Sequence, residues 1–132
     1  MTGRGGGGEE GGERVGRGWG EAGGSVRGVL VAFSVAPGGN GDSVTVAVAD
    51  AVAVVRASGL PNRTDAMFTT IEGDWDECLD LVRRACEAAG RYGDRVSLTL
   101  KADIWRGRTG ELDAKLARLE AAVAARPDQP AG

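Results

Sequence analysis

Apolar residues in this chain recur with two alternating periods, and the switches between them mark out its elements. Residues 28–36 form a run of small and apolar side chains, closed by Pro37-Gly38-Gly39. Its length and β-branched content predict a buried strand. Alternation places Val29, Val31, Phe33 and Val35 on one face, and Leu30, Ala32, Ser34 and Ala36 on the other. The period then changes. Val44, Val48, Ala51, Val52 and Val55 recur at helical spacing over residues 44–58, and Gly59 with Pro61 stops the run. Residues 62–66 are polar and brief, as edge strands tend to be. Thr69-Thr70-Ile71-Glu72 is a β-branched strand that leaves through Gly73. A second helix spans 75–89, with Cys78, Leu79, Val82, Ala85, Cys86 and Ala89 as its apolar face and Asp74 or Asp76 as its cap. Residues 94–104 alternate most clearly: Val96, Leu98, Leu100, Ala102 and Ile104 against Ser97, Thr99, Lys101 and Asp103. A last helix over 110–125 carries Leu112, Leu116, Leu119 and Val123 as its stripe.

Strand, helix, strand, strand, helix, strand is the split βαβ pattern of the ferredoxin-like α+β class, here with an extra C-terminal helix. Right-handed crossovers put the first two helices on one face of a four-stranded antiparallel sheet. The other face is left open, with Ser34, Lys101 and one of Thr69 or Thr70 on or near it. On so small a domain, an open face is expected to meet another subunit.

Composition narrows this further. Of the 23 glycines, 13 precede Val29, and residues 1–27 alternate Gly with Glu and Arg. Such a segment buries too little to offset its backbone entropy and reads as a disordered tail, as do residues 126–132. The ordered domain is therefore expected over 28–125. A net charge of -3 with both signs interspersed offers no nucleic-acid surface. No run approaches a membrane span, and no apolar leader precedes the domain, so the expected location is cytoplasmic.

The candidate chemistry is thin. With no histidine and no CxxC, neither a zinc site nor an activated nucleophile is expected. Cys78 and Cys86 lie eight positions apart on one helix, roughly 12 Å, too far for a disulfide. The glycine-rich loop before Val44 invites a phosphate-binding reading, but no Lys follows its last glycine, and Val44 stands where a dinucleotide fingerprint needs a third. Asp42 or Ser43 as a helix cap explains it as well. Glu72 is the oddity, a carboxylate where a strand runs into the domain. It either sits at a solvated strand end or faces a pocket and meets a cationic or hydrogen-bonding ligand.

The order and spacing of several short segments resemble the thiamine-binding protein family. They are Val35-x-Pro37 with a Gly-rich loop ending at Ser43, Ser58-Gly59-Leu60, Met67-x-Thr69-x-Ile71-Glu72-Gly73-Asp74, and Asp94-Arg95-Val96 leading to Leu100-Lys101-x-Asp103. The resemblance covers residues 29–119. It implies a ferredoxin-like homo-oligomer, a dimer or tetramer, that binds thiamine or its hydroxymethylpyrimidine moiety without catalysis. Carried over by position, the ligand residues are Ser34, Ser43, Thr69, Glu72 and Lys101; the place of Glu72, ending a β-branched strand before Gly73, makes it the expected decisive polar contact. Phe68 and Ile104-Trp105 depart from the family pattern and narrow the expected pocket. Trp75 or Trp105 either stacks on a flat cation or packs in the ordinary way. Lys101 would repel a cation, so it is expected to pair with Glu72 or Asp103. The rival reading is a structural or regulatory oligomer with no small-molecule ligand.

Overall fold

The computed structural model describes residues 26–38 and 42–127, with the side chains of Asp42 and Ser43 outside it. Strand β1 (Val29–Pro37) lies at the heart of the sheet. It pairs antiparallel with β3 (Thr69–Gly73) on one side and with β4 (Val96–Ile104) on the other. The short β2 (Asn62–Thr64) borders β3, giving the order β2-β3-β1-β4. Helix α1 (Asp42–Ala57) follows β1, α2 (Trp75–Ala89) follows β3, and α3 (Glu111–Ala124) closes the chain. This is the ferredoxin-like α+β architecture with its additional helix.

Register explains the core. Val31 stands opposite Ile71 and Ala102, and Phe33 opposite Thr69 and Leu100, so one face gathers the apolar side chains of three strands. Val29, Val31, Phe33 and Ile71 are buried there against Ala47, Ala51 and Val55 of α1 and against Cys78, Leu81, Val82 and Ala85 of α2. Helix α2 corrects one sequence expectation. Leu79 is 39% exposed, whereas Leu81 is 1% exposed. At 100° per residue, Leu81 stands three positions after Cys78 and falls on its stripe, while Leu79 is turned away. Leu98 and Leu100, on the expected greasy face of β4, are 44% and 36% exposed. The reason is position: β4 is an outer strand, and α1 and α2 pack chiefly over β1 and over each other.

Local chemistry fixes the ends. Asp74, in extended backbone, begins α2, and the Glu77 carboxylate accepts its N–H at 3.0 Å. Val26 already packs on the core, and its carbonyl accepts the Trp75 N–H at 2.7 Å. The rest of the expected tail, residues 1–25, and the C-terminal stretch from 128 lie outside the described residues. Among the described residues, no helix is long and apolar enough to cross a membrane.

The sheet face opposite α1 and α2 is not left bare. Helix α3 crosses part of it, with Leu112 and Leu116 lining a cavity above Leu30 and Ala32. Its outer positions Leu119 and Val123 remain about half exposed.

Candidate functional site

Two cavities flank the β2–β3 hairpin. The first exists because β1 outruns β3: the β3 ladder reaches Phe33 and stops, leaving the following stretch of β1 without a partner on that side. The hairpin turns at that level, and α1 crosses above with Val48, Ala51, Val52 and Val55. The result is a cavity of about 230 Å³ with apolar walls, to which Ser34, Thr64, Asp65 and Thr69 contribute the polar groups. The Thr69 side chain is buried, and its hydroxyl lies 3.2 Å from that of Thr64.

Asp65 governs the hairpin's shape. Its Oδ1 accepts the N–H groups of Met67 and Phe68 at 2.8 and 2.9 Å, and its own N–H donates to the Phe68 carbonyl. These two backbone donors, Phe68 first, hold the carboxyl below its ordinary range, so Asp65 is an anion at neutral pH. Among the described residues no cation pairs with it. The sequence reading did not single out this residue. Its signal was an Asp just past a polar strand and before Ala66-Met67-Phe68, the position from which Asp side chains close turns onto following N–H groups.

The second cavity, about 290 Å³, lies between the open sheet face and α3. Glu72 anchors that helix. One carboxylate oxygen accepts the Glu111 N–H at 2.9 Å and the other the Leu112 N–H at 3.2 Å, in a setting where Glu72 is 6% exposed. These are orphan donors of a helix N-terminus, where the dipole also favours an anion. Glu72 thus makes no pair with Lys101. Asp103 makes none either, since it pairs with Lys115 at 2.5 Å. The expected pairing of Lys101 with Glu72 or Asp103 is therefore corrected: among the described residues the ammonium has no ion-pair partner, and Lys101 lines the second cavity.

Glu111 is buried beside Glu72 and is neutralised by Arg118 at 2.6 Å and Arg108 at 3.6 Å. The Arg118 hydrogen bond and then the charges of both arginines hold its carboxyl below the usual range against burial. Arg108 stacks 3.9 Å above the Trp105 ring and Arg118 stands 5.7 Å from it. Trp105 therefore stacks on the chain's own guanidinium groups, and Trp75 packs against the core.

Of the five sequence candidates, Ser34 and Thr69 share the first cavity. Lys101 lines the second, Glu72 sits under α3, and the Ser43 side chain lies outside the described residues. The first cavity suits a flat, weakly polar ring carrying an amine or a positive charge. Nucleophilic chemistry has little to work with: burial, then Glu77 and its acidic neighbours, push the Cys78 thiol up to about 12. Among the described residues no group of His, Cys, Asp or Glu is placed to hold a metal ion.

Comparison with known proteins places the chain in a family. A family model described as "Thiamine-binding protein" matches residues 31–120. A UPF0045 protein of Mycobacterium bovis is 53% identical over 94 residues, which span 70% of this chain and 91% of that one. The crystal structure of a Methanocaldococcus jannaschii protein superposes with a TM-score of 0.65 at 33% identity, covering 71% of this chain and 97% of its own. A domain of unknown function from Bacillus cereus gives 0.64 at 32% identity, covering 70% and 90%. The match spans most of the described residues, from the central strand β1 to the last helix: the chain belongs to the thiamine-binding protein family.

Proposed function

We propose that the protein binds thiamine, or its hydroxymethylpyrimidine moiety, without catalysis and as a homo-oligomer, in the cavity between α1 and the β2–β3 hairpin. The observation that carries this reading is Asp65. It is a carboxylate kept ionised by two backbone N–H groups, without a cation partner among the described residues, on the rim of an apolar slot that Ser34 and Thr69 also line. A thiazolium ring supplies the missing positive charge and an aminopyrimidine supplies N–H donors. The hydroxyls of Ser34 and Thr69 fix orientation, and Val48, Val52 and Phe33 sandwich the ring. Ser43, at the start of α1, remains a candidate, while Glu72 acts at a distance by holding α3. Oligomerisation is supported by the outer strand β4, whose far edge is unpaired and whose Leu98 and Leu100 are exposed, and by the exposed Leu116 and Leu119 of α3.

Isothermal titration with thiamine, hydroxymethylpyrimidine and thiamine phosphate tests the reading. Asp65→Asn is expected to weaken thiamine binding by about 1.5–3 kcal/mol, the range for a hydrogen bond to a charged group. Thr69→Val is expected to weaken it less, by roughly 1 kcal/mol. A parent protein that takes up none of the three compounds overturns the reading and leaves an oligomer with no small-molecule ligand in its place.

A further inference from the structure

The second cavity has a floor that the sheet register lays out as a single row. Arg63 stands opposite Thr70, Thr70 opposite Ala32, and Ala32 opposite Lys101, one residue from each of the four strands. Three strand spacings separate the two ends by roughly 14 Å. The row therefore runs cation, small, small, cation, and the small pair leaves a trough beneath Leu112 and Leu116 of α3. That roof is clamped on both flanks by ion pairs, Arg63 to Asp113 at 2.7 Å and Lys115 to Asp103 at 2.5 Å. Glu111, at the mouth, is neutralised by Arg118 and Arg108. Asp65, at the hairpin corner, is bonded to the Met67 and Phe68 N–H groups. Among the described residues Lys101 alone of the lining cations has no ion-pair partner, and Asp65, a lining carboxylate that also has none, stands at the far end of the row, two residues beyond Arg63.

We propose that this cavity is a second ligand site, distinct from the slot under α1, for a small amphipathic anion: one phosphate or carboxylate on a compact apolar body. The anionic group meets the Lys101 ammonium. The apolar body lies in the trough over Ala32, against Leu112 and Leu116, and Thr70 offers a hydroxyl from the floor. A volume of about 290 Å³ falls at the small end of ligand cavities and suits a single ring with one substituent. At this end of the cavity the one charge without a counter-ion among the described residues is the Lys101 ammonium, which attracts an anion and repels a cation, while Asp65 lies at the far end beyond Arg63.

Titration of the full chain with phenyl phosphate, against inorganic phosphate, phenol and benzylamine, tests this. Phenyl phosphate is expected to bind at least tenfold more tightly than any of the other three, and to weaken as salt rises. Lys101→Gln is expected to lower that affinity at least tenfold while the melting temperature stays at the parent value, since Lys101 is exposed. Ala32→Leu, which fills the trough, is expected to abolish binding in a folded protein. Equal affinity of phenol and phenyl phosphate, preference for benzylamine, or unchanged binding by Lys101→Gln overturns the proposal. Displacement of phenyl phosphate by thiamine overturns the claim of a separate site, whereas failure of thiamine to bind at all leaves this one standing.

Discussion

The Glu72 carboxylate and the Glu111 backbone N–H meet at 2.9 Å, so that one buried glutamate anchors the helix that begins with another. Glu72 stands opposite Leu30 near the end of β3, on the sheet face that α3 crosses, and α3 starts directly above it. The sheet thereby specifies where the last helix begins. That placement in turn forms the cavity above Ala32.

The first prediction follows from that contact. Glu72→Gln keeps one acceptor but turns an amide N–H₂ toward a backbone N–H, so one helix donor loses its partner. The expected cost is about 1.5–3 kcal/mol of stability, the range for hydrogen bonds to a charged group. Fluorescence of Trp105, close to the start of α3, should report the loosening in urea. If Glu72→Gln melts like the parent and instead loses thiamine affinity, Glu72 is a ligand contact in the manner the family resemblance implies.

Gly28 supports the same corner from the other side. It has a φ of +75°, and a Cβ built there would lie 1.5 Å from the Arg108 carbonyl oxygen. Backbone cannot move aside as a side-chain tip can. Gly28→Ala is expected to cost on the order of 3 kcal/mol or more. Gly107, with a φ of +84°, meets nothing within 4 Å, so Gly107→Ala is expected to cost only the left-handed strain, roughly 1–2 kcal/mol. Equal costs in denaturant titrations would contradict the close approach at Gly28.

Elements and topology were legible in the sequence because each rests on a local period. Val29 to Val35 alternate and Val48 to Val55 recur at helical spacing, and the intervening turns carry glycine or proline. What local pattern does not encode is which distant group a polar residue finds. Glu72 was visible as an anomaly, but its partners lie 39 and 40 positions further on, and they are backbone N–H groups that no side-chain pattern marks. Lys101 was legible as a polar-face residue, whereas its lack of a partner depends on Lys115 having taken Asp103 across the α3 contact. Asp65 went unnoticed for the opposite reason. Its bonds are local, but it lies just beyond a strand of three residues that alternation defines poorly.

Helix α2 provides a direct test of the helical phase. Leu81 is fully buried against β1 and α1, whereas Leu79 faces outward. Leu81→Ala is expected to cost about 2–5 kcal/mol, the transfer of the side chain plus the cavity it leaves. Leu79→Ala is expected to stay within about 0.5 kcal/mol of the parent. Comparable losses at the two positions would place the apolar stripe where the sequence first suggested it, through Leu79.

The last prediction concerns acid. The Glu111 carboxyl is held below its ordinary value of 4.5 first by the Arg118 hydrogen bond and then by the charges of Arg118 and Arg108, with burial opposing them. A carboxyl whose folded pKa is lowered binds its proton less readily in the native state than in the unfolded chain. Its contribution to stability is therefore complete above the unfolded value, near 4.5, and is lost as pH falls through the lower folded value. Asp65, lowered from 3.8 by the Phe68 and Met67 N–H groups, adds to the same limb further down. Stability in urea is expected to hold level from pH 7 to about 5 and then to fall. Arg118→Gln removes the principal cause of the Glu111 shift and leaves only Arg108 to oppose burial. The variant should be less stable than the parent at pH 6, and the gap between them should narrow as pH falls, because protonation of Glu111 removes the charge that Arg118 pairs with. A gap that stays constant across that range would mean that Arg118 contributes by packing on Trp105 and not through its ion pair with Glu111.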